Sequence, residues 1–415
     1  MDTIQPILYK AHQAIPSISL ATDQLKQEVL HRLAALIMQN IPLIITENEK
    51  DLDRMPDTDP KKDRLLLNET RIKALADSLN DIAALPDPTG KLMLESTTKE
   101  GLHIQKKTVP LGVVGVIYES RPNVTIDVAA LCIRSGNVCV LRGGSDALHT
   151  NIVLVSIIHS VLRDAGLDPA IVQLLPTDRK FITEMLTAVK YIDIIIPRGS
   201  QQLIEFVRQN SLVPTIETGA GVCHTYVEQT ADLDKAAAIV VNAKVSRPSV
   251  CNALDTIVVD RAVVKQLLTL AAPGLLAYDV EIFADEESYS VLKELKYPYL
   301  QNAAPEDFGR EFLDYKCSVK TVNGYDEAVA HISQYSSKHS EAIITQNTEL
   351  GERFINEIDA AAVYINASTR FTDGAEFGLG AEIGISTQKL HARGPFALEK
   401  LVTEKWYVRG DGQVR

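Results

Sequence analysis

The sequence predicts an α/β protein in which a doubly wound, ligand-binding domain is joined to a second α/β domain. Three observations carry that expectation. From about residue 100, short apolar runs alternate with helical segments. The runs are apolar almost throughout instead of alternating with polar residues, as strands buried on both faces must be. Several end in turns that carry Gly or Arg, at the strand ends where doubly wound sheets receive ligands.

Residues 1 to about 90 read as helical, with apolar residues at three- and four-residue spacing through QLKQEVLHRLAALIMQNIPLIITENEKDL. The strands expected next are VVGVIY (113–118), NVCVLR (137–142), IVQLLP (171–176) and DIIIP (193–197), each followed by a helix. A second block begins at about 225 and runs through LDTIVVD (254–260), CSVKTV (317–322), the helix YDEAVAHISQYS, then EAIITQ and AAVYIN (361–366). The Gly-rich FTDGAEFGLGAEIGIS after it is expected as an ordered loop over a site. Two peripheral polar segments, 96–112 and 403–410, read as strands whose exposed edges need a partner.

Composition bounds the function. The 415 residues, 46% hydrophobic and 23% charged, are those of an ordinary soluble protein of two or three domains. No apolar stretch is expected to reach the ~20 residues that span a bilayer. The N-terminus lacks the basic start and continuous apolar core of a signal peptide. Five scattered cysteines suggest neither a disulfide framework nor a metal site, which makes a reducing, cytoplasmic setting the default. A net charge of −12 argues against nucleic acid and requires any anionic substrate to meet locally concentrated cations. Arg121, Arg142, Arg198, Arg247 and Arg393 each lie in a loop-like motif (ESRPN, LRGG, PRGS, SRPSVC and HARGP).

The chemistry centres on Cys251. It follows Val245-Ser246-Arg247-Pro248-Ser249-Val250, a turn in which a nearby cation favours the reactive thiolate. Asn123, after the strand VVGVIY, supplies a side-chain amide suited to an oxyanion; the competing role is a helix cap. Arg142-Gly143-Gly144 and Arg198-Gly199-Ser200 each end a strand and open a helix, which offers amides and a cation to a phosphate. Neither Gly-x-Gly-x-x-Gly nor a Walker loop is present. Glu217 sits in Glu217-Thr218-Gly219-Ala220-Gly221, upstream of the cysteine. His224 and His339 read as structural.

This order of motifs (an Asn loop, an Arg strand end, a Gly-Ser turn, Glu-x-Gly-x-Gly, then Cys) resembles the aldehyde dehydrogenase superfamily. The segments GVIYESRPNVTIDVAALCIRSGN, VNAKVSRPSVCN and FTDGAEFGLGAEIGISTQKLHARGP narrow the resemblance to its γ-glutamyl phosphate reductase family, in stand-alone form. The resemblance implies domains at 1–225 (cofactor, with an oligomerisation hairpin at 94–111), 226–370 (catalytic) and 371–415, which returns to the first domain and adds a C-terminal oligomerisation strand. It implies reduction of L-glutamyl 5-phosphate by NADPH, with Cys251 as nucleophile and Asn123 holding the oxyanion. Arg142, Gly143, Gly144, Arg198, Gly199, Ser200 and Glu311 would hold the cofactor. Arg121, Arg247, Glu217, Lys389, His391 and Arg393 are the substrate candidates, with Glu217 not an essential base. The implied partners are a second copy of the chain, as a homodimer or dimer of dimers, and glutamate 5-kinase. Other aldehyde dehydrogenase chemistry, hydrolytic or CoA-acylating, is the alternative.

Overall fold

The computed structural model describes residues 2–56, 59 and 61–415; positions 1, 57, 58 and 60 of the expected helical region lie outside the described residues. The chain divides into two units. The first runs to Thr218 and adds Gly378–Gly384 and Leu390–Arg415; the second is Gly219–Phe377 with Ile385–Lys389.

The first unit holds two sheets. β1 (Leu92–Thr97) and β2 (His103–Pro110) form an antiparallel hairpin. β3 (Val113–Tyr118), β4 (Val138–Gly143), β5 (Val172–Leu174) and β6 (Ile194–Arg198) form a parallel sheet in the order β5-β4-β3-β6. The chain winds outward from β3 to β5 and then returns to the other side of β3, so the order reverses between β3 and β6. A doubly wound sheet opens its ligand crevice at such a point, outside the carboxyl ends of the strands. Every residue of β3 and β4 is buried, which explains why their sequences show no polar alternation.

The second unit is built on β7 (Cys223–Val227), β8 (Leu254–Asp260), β9 (Glu281–Ala284), β10 (Leu300–Asn302), β11 (Lys316–Val322), β12 (Ser340–Ile344) and β13 (Ala362–Ile365). They form a parallel sheet in the order β10-β9-β11-β8-β7-β12-β13, which places β7 and β8 at its centre. β8 carries the expected bounds. β7, β9 and β10 were not among the expected strands. The Gly-rich stretch expected as a loop contributes β14 (Glu382–Ser386), paired with β15 (Gly394–Ala397). β16 (Val402–Arg409) joins the hairpin and pairs antiparallel with β2 along its whole length, which gives the two polar peripheral strands their partner.

One expectation is corrected. Ser145–Asp164 is long and apolar enough to cross a membrane by length and composition. Its Val153, Leu154, Ile158, Val161 and Leu162 are buried in the core of the first unit, so its apolarity has a packing explanation.

The N-terminal helices Asp23–Gln39 and Glu69–Ala84 pack on the helix Pro122–Arg134, and Arg134 ties them together. Its side chain has no exposure; Nη1 pairs with Asp23, and Nη2 donates to the Leu85 carbonyl at 2.5 Å. Removing one partner of a buried charged network typically costs about 3 kcal/mol. Arg134→Met should therefore lower the unfolding free energy obtained from urea denaturation by an amount of that order, and an unchanged value would contradict this account of the helical layer.

Candidate active site

The nucleophile candidate is best understood from the backbone around it. The helix Leu233–Val245 ends, residues 246–253 form an irregular turn, and β8 begins at Leu254. Among the cysteines, Cys132, Cys139, Cys223 and Cys317 are buried; Cys251 alone is half-buried. Burial pushes the Cys317 thiol up to about 12 and raises the thiols of Cys132 and Cys223 well above their ordinary range, which leaves them poor nucleophiles.

The turn is held from two sides. On one side, the chain at Gly221 passes so close that a Cβ there would lie 1.6 Å from the Cys251 carbonyl oxygen. Only glycine permits that approach. The Cys223 thiol reinforces it, donating to the same carbonyl at 3.2 Å. Two carboxylates then fix this backing segment. Glu311 accepts from the Gly221 amide at 2.8 Å, and Asp255 accepts from Cys223 N–H at 3.4 Å and Phe312 N–H at 3.0 Å. Burial drives the Asp255 carboxyl up to about 7, opposed by the Lys244 ammonium 3.9 Å away. Lys244 in turn donates to the carbonyls of Asp314 and Lys316 at 3.1 and 2.8 Å. Lys244 and Asp255 thus straddle the turn and close its base.

On the other side stands Arg370, in the short 3-10 turn Thr369–Phe371. Its Nε donates to Ser246 Oγ at 3.1 Å and its Nη1 to Asn252 Oδ1. Asn252 Nδ2 returns hydrogen bonds to the carbonyls of Arg370 and Thr372 at 3.2 and 2.9 Å. Arg247, on the same turn, is exposed. Lys389 is ion-paired to Asp359 at 3.1 Å and is largely exposed.

The first unit carries the remaining expected residues. Asn123 does not cap its helix: the helix begins at Pro122 with Arg121 as N-cap, and no side chain caps it. Asn123 Nδ2 instead donates to Asp127 Oδ2 at 3.1 Å, one turn on. Burial raises the Asp127 carboxyl to about 6, while Asn123 and the Arg198 guanidinium favour its ionised form. Arg198 therefore faces this carboxylate as well as ending β6. At the turn that follows, Ser200 caps the helix Gln201–Asn210 with its hydroxyl, and Ser200 N–H donates to Glu119 Oε2 at 3.0 Å. The amide expected to face a pyrophosphate thus holds a carboxylate here.

At the end of β4, Arg142 is buried and donates from Nη2 to the Thr177 carbonyl at 2.7 Å; its Nε is buried without a hydrogen-bond partner among the described residues. A Cβ on Gly143 would lie 2.3 Å from Asn151 Nδ2, and Gly144 follows it into the helix that begins at Ser145. His391 is exposed and meets the Lys400 carbonyl at 2.9 Å; Arg393 and Glu217 are half-buried.

The sequence reading missed Arg370, Asn252, Asp255 and Asp127. Asp127 had a usable signal, since it lies four residues after Asn123 on one helical face. Arg370 had none, because only the fold returns it to the Cys251 turn.

The aldehyde dehydrogenase family model matches residues 2–280. The γ-glutamyl phosphate reductase of Pelodictyon phaeoclathratiforme is 51% identical, covering 100% of this chain and 99% of its own length. The crystal structure of γ-glutamyl phosphate reductase from Thermotoga maritima, 39% identical, matches with a TM-score of 0.93 over 100% of both chains. An acetylating aldehyde dehydrogenase from Geobacillus thermoglucosidasius, 14% identical with a TM-score of 0.73 over 99% of this chain and 97% of its own, shares the fold.

The contact between Gly221 and the Cys251 main chain gives a direct test. A methyl group at position 221 cannot be accommodated without displacing the turn, at a cost of about 3 kcal/mol. Gly221→Ala should change the alkylation rate of Cys251 by iodoacetamide and lower turnover more than tenfold. Wild-type alkylation and turnover would show that the turn is not held this way.

Proposed function

This chain belongs to the γ-glutamyl phosphate reductases, within the aldehyde dehydrogenase family, and we propose that it reduces L-glutamyl 5-phosphate to L-glutamate 5-semialdehyde with release of phosphate, the second step of proline biosynthesis from glutamate. The observation that carries the chemistry is the half-buried Cys251 on a turn that also bears Arg247 and is gripped by Arg370. Cations beside a thiol favour the thiolate, which is the nucleophile.

The Cys251 thiolate attacks the acyl carbon; the carbon–oxygen bond to phosphate breaks, and the electron pair leaves on phosphate. Phosphate needs little acid help to leave, so the step requires no general acid. Asn123 is the side-chain donor to the tetrahedral oxyanion, an interaction worth roughly 10²–10³ in rate. Collapse of the reduced adduct returns the Cys251 thiolate and frees the aldehyde. Glu217 has no water to activate in such a cycle and is not an essential base.

Family membership implies a nicotinamide cofactor, and NADPH is the proposed form. A reduced nicotinamide supplies the hydride that converts the thioester to the aldehyde level. The residues of the first unit fit such a group: the buried, unpartnered Nε atoms of Arg142 and Arg198 end two strands of a parallel sheet, and the tight passage at Gly143 brings main chain to that edge. Arg142, Gly143, Gly144, Arg198, Gly199 and Ser200 would hold it, with Glu119 yielding the Ser200 amide. Glu311, whose carboxylate holds the Gly221 amide, is the candidate for the nicotinamide ribose.

The three-stranded sheet suggests assembly. Leu92, Met93, Leu94, Trp406 and Val408 are exposed on β1 and β16, a concentration of apolar side chains suited to a second copy, as a homodimer or dimer of dimers. A reducing, cytoplasmic setting suits the Cys251 chemistry.

The reverse reaction tests the assignment. Glutamate 5-semialdehyde and NADP⁺ should yield reduced cofactor only when inorganic phosphate is present, and Cys251→Ala should abolish the reaction. Turnover indifferent to phosphate would identify a hydrolytic dehydrogenase instead, and a requirement for CoA an acylating one.

Asp127 sets an acidic limit. Burial raises its carboxyl to about 6, so protonation there weakens the acceptor that holds Asn123 Nδ2. kcat should fall on acidification with a midpoint near 6, and Asp127→Asn should flatten that limb. Stability moves in the opposite sense. Because the folded pKa is raised from 3.8 to about 6, the contribution is full below the lower value and is lost as pH rises through the higher. An acid limb unchanged in Asp127→Asn would show that another group sets it.

A further inference from the structure

We propose that Arg370 is a substrate-binding residue that, together with Arg247, forms the anion subsite receiving the leaving phosphate beside Cys251. The proposal rests on the acyl-phosphate reading above and names a ligand group that the sequence motifs did not reveal.

Geometry places the guanidinium. Arg370 Nε reaches Ser246 Oγ at 3.1 Å and Nη1 reaches Asn252 Oδ1. Ser246 is the chain neighbour of Arg247, and Asn252 that of Cys251. A planar fork bound at both points lies along the turn between the second cation and the nucleophile. Asn252 is itself locked by the carbonyls of Arg370 and Thr372, and its own carbonyl accepts from Thr369 Oγ1 at 2.8 Å, so the arrangement is rigid.

Charge says what the site wants. In a chain of net charge −12, Arg247 lies on this turn and Arg370 is hydrogen-bonded to it from the 3-10 segment Thr369–Phe371, and neither makes an ion pair among the described residues. The nearby charges confirm the grouping: burial and then Arg247 disfavour the cationic form of Arg370, whereas Asp373, Cys251 and Cys223 favour it. Two half-spent cations against one carboxylate leave a net positive site beside a nucleophile. A phosphate dianion neutralises it, and a guanidinium fork suits its oxygens. Arg370 Nη2 has no protein acceptor among the described residues and is available for that contact.

The chemistry then has a direction. As Cys251 Sγ bonds to the acyl carbon, negative charge grows on the departing phosphate oxygens, where the two guanidinium groups stabilise it. In reverse, the same groups hold inorganic phosphate for attack on the thioester carbon, with the thiolate as leaving group. No oxidation or reduction occurs in this half.

A purely structural clasp would predict something different, and steady-state kinetics of the full-length enzyme in the reverse reaction separate the two. Arg370→Gln should raise the KM for inorganic phosphate about tenfold or more, the loss expected of a charge-assisted hydrogen bond. The KM for glutamate 5-semialdehyde should change less than about twofold. Arg370→Lys, which keeps the charge and guards against a variant that fails to fold, should recover part of the phosphate affinity, and Arg247→Gln should raise the same KM. An unchanged phosphate KM in folded Arg370→Gln or Arg370→Lys would overturn the assignment. So would a parallel rise in both substrates' KM with a loss of thermal stability in Arg370→Lys, which would mark a clasp alone. Wild-type turnover indifferent to phosphate would overturn the acyl-phosphate reading itself, and this assignment with it.

Discussion

The contact between two stretches of main chain, at Gly221 and Cys251, is the constraint on which the Cys251 turn depends. A reactive thiol must be exposed enough to meet a substrate, yet a turn exposed on both sides would not hold its sulfur in one place. The second unit resolves this by backing the turn with bare backbone. A residue with a side chain at 221 would occupy the volume of the Cys251 carbonyl. Around that contact the fold adds progressively more polar restraints: the Cys223 thiol on the carbonyl, Glu311 and Asp255 on the backing strand, and Lys244 closing the base. The buried charges are matched by several hydrogen bonds each, as ionised groups out of water require. Their arrangement follows from the sheet order, because β7 and β8 are neighbours, β8 follows this turn and the segment leading into β7 backs it.

The two units hold their cations differently. In the first, cations end parallel strands on either side of the point where the strand order reverses, and a carboxylate, Glu119, already occupies the helix amide beside it. In the second, Arg247 lies on the Cys251 turn and Arg370 is hydrogen-bonded to it. The acidic chain therefore concentrates positive charge in a few loops, with Arg142 and Arg370 held by hydrogen bonds to neutral partners. Asp127 is the counterpart for Asn123. A single carboxylate one helical turn away accepts from its side-chain amide.

Much of this was legible in the sequence. Strands buried on both faces announce themselves as unbroken apolar runs, and LDTIVVD was readable to its ends for that reason. Two strands near one edge were not: Glu281–Ala284 and the edge strand Leu300–Asn302 are only four and three residues long, too short to show a pattern. Cys223–Val227 escaped because CHTYV mixes polar and apolar groups, whose buried polar partners, such as Glu341 for His224, are supplied by a distant strand. Cys251 and Arg247 were visible as neighbours in sequence. Arg370 was not, since it reaches the turn only because the 3-10 segment after β13 returns to the helix Leu233–Val245. Asn123 was misjudged as a competing cap because Pro122 already begins the helix.

The central claim is that Cys251 carries the acyl group. Rapid acid quench and peptide mass spectrometry of enzyme mixed with glutamate 5-semialdehyde and NADP⁺, without phosphate, would test it most directly. A glutamyl adduct confined to the Cys251 peptide, discharged when phosphate is added, is the predicted result. Turnover with no adduct at Cys251, or an adduct on another cysteine, would contradict the account.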